Sequence, residues 1–219
     1  MVNCYLVQED DGFTLVDTNL SGSAKDILAA AEAHGVPIVR IVLTHAHNDH
    51  VASLDALKQE LPEAEVAITA REARFLAGDQ SLDPDEPQAK LRGGYQQCTT
   101  QPTRTLQPGD RIGSLEVIAS PGHTPGHVSV RIESQGQHAI ITGDMVHHPV
   151  QLAEPTWGSH PDAQPERGAA GREVLCVAGL VVVHRVGIRH QDGADARGCE
   201  HGLFAVLAAF VFGREVADD

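Results

Sequence analysis

Apolar positions recur at two spacings along the first two-thirds of the chain, and the changes between them mark out the elements. Asn3 to Gln8 and Phe13 to Asp17 read as two short strands joined by the turn Glu9-Asp10-Asp11-Gly12, where glycine supplies the φ that a tight turn needs. Ser23 to His34 is Ala-rich, with Ile27, Leu28 and Ala31 on one face and Gly35 at its end, so the spacing predicts a helix. Ile38 to Leu43 is an almost continuous apolar run, the pattern of a buried strand. Thr44 to His50 is then the loop at its carboxyl end, and Val51 to Leu61 is a second helix with Leu54, Leu57 and Leu61 at helical spacing. Val66 to Thr69 reads as a strand and Glu72 to Leu76 as the start of a short helix. Asp79 to Pro108 is rich in Pro, Gly, Gln and Thr. It predicts a long irregular excursion, of the kind that forms substrate lids or binding loops. Strands return at Ser114 to Ala119, Val128 to Ile132 and Ala139 to Thr142.

This order is that of an α/β fold with two sheets or one large one. At 219 residues the chain is long for one average domain and short for two, so one domain built of two similar halves is expected. Hydrophobic residues make up 42% and aromatics only 4%, which leaves the core to Val, Leu, Ile and Ala. The formal charge of −14 argues against a nucleic-acid partner, because phosphate binding wants a basic face. Four cysteines, Cys4, Cys98, Cys176 and Cys199, stand without a CxxC pair, so neither a disulfide framework nor a cysteine zinc module is expected. The opening MVNCYLVQEDDGF shows no signal peptide, and the longest apolar run, Leu203 to Phe212, is too short for a bilayer. A cytoplasmic protein with a small-molecule substrate, and no membrane or nucleic-acid partner, is the expectation.

The chemistry concentrates in three places. The first is Thr44-His45-Ala46-His47-Asn48-Asp49-His50, between a buried strand and a helix. In an extended loop His45 and His47 project the same way and can grip one metal ion. Asp49 and His50, where the chain turns into the helix, can grip a second. Imidazole with carboxylate suits zinc, with manganese, iron or cobalt as alternatives. The second is Ser120-Pro121-Gly122-His123-Thr124-Pro125-Gly126-His127. Two Pro-Gly turns bracket His123, which is assigned to the first ion, and His127 is assigned a structural or supporting role. The third is Thr142-Gly143-Asp144 at a strand end, where Asp144 reads as the carboxylate bridging two ions. His147 and His148 follow it and are candidates for binding substrate or stabilising an oxyanion.

T-H-A-H-N-D-H, P-G-H-T-P-G-H and T-G-D, in that order, resemble the metallo-β-lactamase superfamily over residues 3 to about 150. The resemblance implies a four-layer αββα sandwich, two divalent metal ions and hydrolysis by a bridging hydroxide. Asp17 would be the buried aspartate that supports the metal loop. Asp49 would orient the hydroxide or pass a proton to the leaving group. The family also needs one more histidine on a loop after the last strand of the second half, and His184, His190 and His201 are the candidates, with His184 favoured. From Ser159 onward the sequence departs from the pattern. Pro161 to Gly171 is loop-like and leaves little room for a helix, Gly187 to Gly198 lacks periodicity, and the end reads as divergent or frame-shifted.

The stretch G-D-x-x-H-H-P-x-Q is similar to that of lactonase-like and organophosphate-hydrolase-like relatives. It points to a lactone or carboxylic ester, with an acyl-homoserine lactone as one example. A glyoxalase II-like thioesterase is the second expectation; its anionic substrate would call on Lys90, Arg92 or Arg104 in the excursion. A non-catalytic metal-binding homologue is the third. Family relatives often dimerise, so a homodimer belongs to the same set of expectations.

Overall fold

A computed structural model of the protein describes residues 2–88, 90–134, 137–148, 150–177, 181–183 and 209–210. The strands β1 (Cys4–Glu9) and β2 (Gly12–Val16) form a hairpin, with Glu9 opposite Gly12. Helix α1 (Ala24–Ala33) leads to β3 (Ile38–Val42), which lies parallel to β2. Two short helices, α2 (Asn48–Val51) and α3 (Leu54–Glu60), return the chain to β4 (Glu65–Thr69), parallel to β3, and α4 (Ala70–Leu76) follows at once. After the excursion β5 (Arg104–Leu106) adds to the edge of this sheet.

The second sheet holds β6 (Arg111–Ile112), β7 (Leu115–Ala119), β8 (Val128–Ser134), β9 (Gln137–Ile141) and β10 (Val181–Val183). Its order is β10-β9-β8-β7-β6, antiparallel except that β10 runs parallel to β9. A 3₁₀ turn (Gly143–Met145), α5 (Val150–Ala153) and α6 (Pro165–Val177) lie between β9 and β10. A final β11 (Ala209–Phe210) pairs antiparallel with β1 and completes the first sheet as β11-β1-β2-β3-β4-β5.

Strand alternation explains why the sheets stack. Cys4 and Leu6 of β1 join a core with α1, α3 and α4, whereas Tyr5 and Val7 face Val117, Val130 and Ile141 of the other sheet. Successive side chains of a strand point to opposite faces, so the apolar strands of the first half are buried on both. On the far side of the second sheet Ile140 packs with Met145 and Ile118. The result is the αββα sandwich that the motifs imply, with loops from both sheets meeting at one edge. Among the described residues no helix is long and apolar enough to cross a membrane.

Three expectations change. The single helix over Val51 to Leu61 is two, broken at Ala52–Ser53. Ser53 Oγ donates to the Leu20 carbonyl at 2.6 Å and accepts from Ser23 N at 3.0 Å, which pins the chain there. The excursion ends in a strand, β5. Its start is fastened to α4 by Arg71–Glu86 and Arg74–Asp83 ion pairs at 2.7 and 2.5 Å. The loop expected over Pro161 to Gly171 is helical from Pro165. Glycines in and beside this helix are contact points. A Cβ on Gly168 would meet Arg172 Nη1 at 3.2 Å, one on Gly171 would meet Met145 Sδ at 3.0 Å, and one on Gly122 would meet the Gly168 Cα at 2.5 Å. Bare backbone here lets α6 sit directly against the His123 loop.

Candidate metal centre

Each imidazole of the first group is oriented by a partner on its outer nitrogen. His45 stands just past β3, with Nδ1 3.0 Å from Thr44 Oγ1. That hydroxyl lies 3.1 and 2.9 Å from the two Asp17 oxygens. It gives its proton to the carboxylate, accepts the His45 Nδ1 proton, and so leaves His45 Nε2 as a lone pair. His47 Nε2 is 3.0 Å from the Arg92 carbonyl. A carbonyl only accepts, so His47 Nδ1 is the lone pair. His123 Nδ1 is 3.4 Å from Asp162 Oδ1, which leaves His123 Nε2 bare.

The three bare nitrogens face one another. His47 Nδ1 lies 3.1 Å from His45 Nε2 and 2.9 Å from His123 Nε2. Lone pairs so close repel unless a cation lies between them, and neutral imidazoles oriented from behind are what a divalent ion requires. The donor set fits the metal that the sequence pattern implies.

A second group, His45, His50 and Asp144, shares one wall with the first, and a third joins His123, Asp144 and His147. His50 Nδ1 donates to Asp17 Oδ2 at 2.7 Å. Its buried Nε2 lies 3.1 Å from Asp144 Oδ1 without a hydrogen bond. Asp144 Oδ2 is 3.4 Å from His123 Nε2. One carboxylate therefore reaches toward both histidine groups, the geometry of a bridge.

Burial first, and the neighbouring imidazoles next, hold His45 and His127 well below the ordinary histidine range, and burial with His123 pushes His47 down to about 3. A low proton affinity favours the neutral form that can ligate a metal at His45 and His47. Burial opposes a charge on His50, but Asp144 and Asp17 outweigh it and raise it well above its ordinary value. Burial would raise the Asp144 carboxyl, yet His50 and His147 bring it well below the carboxylate range.

The structure thus gathers His45, His47, His50, His123 and Asp144. Asp49 lines a cavity with His50 and Asp144, half-buried, but stands outside the three donor groups. The cavity is about 210 Å³ and is also bordered by Asn3, Tyr5, Thr142 and His147. His147 and His148 separate: the first faces the centre, while the second is exposed and accepts from Val150 N at 3.1 Å. His127 sits behind the centre, with Nδ1 2.8 Å from Ser120 Oγ and Nε2 accepting the Asp144 amide at 3.1 Å. His184, His190 and His201 lie outside the described residues.

Several supports escape the sequence pattern. Glu72 is fully buried; Oε2 accepts from Ala46 N at 3.0 Å, and Oε1 from Thr124 Oγ1 at 2.7 Å and Gly126 N at 2.8 Å. It ties the two histidine loops together. Burial raises its carboxyl against the pull of these three bonds. Thr69 and Glu72 are spaced as a capping box, and Thr69 does cap the Glu72 amide; that spacing disguises a Glu whose side chain works elsewhere. The tip of the excursion backs His47, and Gly93 at φ +83 lies so near that a Cβ would meet His47 Cε1 at 2.5 Å.

The model of the metallo-beta-lactamase superfamily matches residues 1–175. The chain belongs to that superfamily. YobT of Bacillus subtilis, described as uncharacterised, is 47% identical over 144 residues, covering 65% of this chain and 61% of that one. YflN of the same organism, a probable metallo-hydrolase, is 28% identical over 164 residues, covering 67% and 61%. Hydroxyacylglutathione hydrolases also match; that of Enterobacter sp. strain 638 is 32% identical over 127 residues, covering 56% and 39%. The chain spans about three-fifths of the length of the first of these relatives. A crystal structure of TTHA1623 in a di-iron-bound form shares 25% identity at a TM-score of 0.58, covering 80% of this chain and 81% of that one.

Proposed function

We propose that this superfamily member is a hydrolase that holds two divalent ions and opens a lactone or carboxylic ester. The observation that carries the reading is the convergence of His45 Nε2, His47 Nδ1 and His123 Nε2, with Asp144 beside them reaching to His50. His45, His47 and His123 would hold the first ion. His50 and Asp144, with Asp49 and His184 as the further candidates, would hold the second. Bound ions would acidify a coordinated water toward a pKa of about 7 and would polarise the substrate oxygen. The protein's own part is to fix that water and the acyl group. Asp49 on the cavity wall would orient the water, and His147 would donate to the developing oxyanion. Zinc suits the donors, and so does iron, the metal bound in the TTHA1623 structure.

A glyoxalase II-like thioesterase is the second reading, favoured by the hydroxyacylglutathione hydrolases among the relatives. The cations it would call on do not line the cavity among the described residues. Arg92 donates to the His160 carbonyl, and Arg104 bonds the Arg111 carbonyl at 2.7 Å with Glu65 nearby. Metal content per chain, measured beside hydrolysis of a panel of lactones, esters and acyl-glutathione thioesters, decides between them. Near two ions with lactone or ester turnover is expected. Thioester turnover alone would replace the first reading by the second, and a metal-free, inert protein would remove both.

A further inference from the structure

Arg172 of α6 is fully buried. Charged residues are rarely buried completely unless their contacts demand it. Nη1 donates to the Met145 carbonyl at 3.0 Å and Nε to the Pro155 carbonyl at 2.9 Å. Nη1 also lies 3.6 Å from Asp162 Oδ2. Met145 is the neighbour of Asp144, and Asp162 Oδ1 is the partner of His123 Nδ1. One guanidinium therefore touches the segments that present the bridging carboxylate and the third histidine.

The surroundings are shaped to this contact. Asp162 is itself buried, and its Oδ2 accepts from Ser159 N at 2.8 Å. Ala163 N donates to the His123 carbonyl at 3.1 Å and Gln164 N to the Gly122 carbonyl at 2.7 Å, so the turn carrying Asp162 is laced to the His123 loop. Arg172 Nη2 has no hydrogen-bond partner among the described residues. A guanidinium held this dry, with a nitrogen unsatisfied, is a costly way to stabilise a fold, because a packed apolar side chain commonly does as well. Its two hydrogen bonds and its ion pair are something an apolar residue cannot supply.

We infer that Arg172 and Asp162 form a positioning pair for the metal centre, setting His123 and Asp144 at the spacing the ions need. This rests on the metal-centre reading above. Arg172 holds Asp162 in place. Asp162 keeps the proton on His123 Nδ1 so that Nε2 remains the donor. The Arg172–Met145 bond fixes the turn from which Asp144 reaches the centre. Neither residue touches substrate.

The test uses Co²⁺ as the probe on the full chain. Its dissociation constant is measured by chelator competition, its visible spectrum reports the ligand field, and the thermal midpoint of the metal-free protein is taken in parallel. Arg172→Met and Asp162→Asn are each expected to weaken Co²⁺ binding by about 10–100-fold and to alter the spectrum. Arg172→Lys, which cannot reach three partners at once, is expected to restore only part. Folded Arg172→Met and Asp162→Asn with wild-type Co²⁺ affinity and spectrum would overturn the inference. If Arg172→Met does not fold, Asp162→Asn, which keeps the volume and most contacts, decides on the same readout. If the wild-type chain takes up no Co²⁺, the failure belongs to the metal-centre reading.

Discussion

The two histidine loops solve the same problem by different means. The His45–His50 loop comes off a strand buried on both faces and carries its donors within six residues. Asp17, held at φ 60, secures it through Thr44 N at 2.8 Å, the Thr44 hydroxyl and His50. Among the described residues the second sheet presents His123 and Asp144, far apart in sequence, with His147 beside them, and braces the first two with groups from a later turn and helix, Asp162 and Arg172. Local order is cheap where donors share one loop. Where they come from separate segments, buried charge takes over the alignment, and Glu72 locks one loop to the other.

Removing a donor shared by both groups breaks this arrangement most completely. His45→Ala is expected to lose the tightly held metal and turnover of any ester or lactone the wild type accepts, with the fold largely kept. Metal content beside circular dichroism checks it, and wild-type turnover by this variant would remove the assignment. Stripping wild-type protein with a chelator should lower its thermal midpoint, because any ligand bound only by the folded state stabilises it, by about 2.7 kcal/mol at a hundred times its dissociation constant.

Glu72→Ala separates the two halves of the comparison. It strands three donors, two buried and one part-buried, each buried one worth about 1–3 kcal/mol. The expected loss of roughly 3 kcal/mol or more should appear in urea unfolding of the metal-free protein. Glu72→Gln should cost less, since one oxygen still accepts. A Glu72→Ala variant as stable as the wild type would show that the loops do not depend on this tie.

Gly93→Ala sharpens the view of the first loop. The new Cβ meets the His47 ring and takes a φ that costs about 1–2 kcal/mol for an L residue. Co²⁺ affinity should fall about 10-fold or more, while the His123 side of the centre keeps its geometry. Smallest of all, Asp11→Asn at the exposed Arg40–Asp11 pair, 2.6 Å apart, should move stability by less than about 1 kcal/mol and leave metal binding unchanged.

Sequence by itself determined most elements of the first half, the sandwich through its family resemblance, and His45, His47, His50, His123 and Asp144 as residues that converge. His45, His47 and His50 are close because the chain makes them close, and two Pro-Gly turns announce His123. The sequence pattern did not reveal why these donors stand ready. Glu72 has the spacing of a cap, and no motif singles out Gly168, Gly171 or Arg172, because each one's role depends on what lies across the fold. The difference between His147 and His148 was equally hidden, since adjacent identical residues diverge only through the turn that Gln151 holds, accepting their amides at 2.7 and 3.2 Å. Donor identity is a local property that spacing can encode. Tautomer, burial and tilt belong to partners distant in the chain, and only the tertiary structure brings those partners into place.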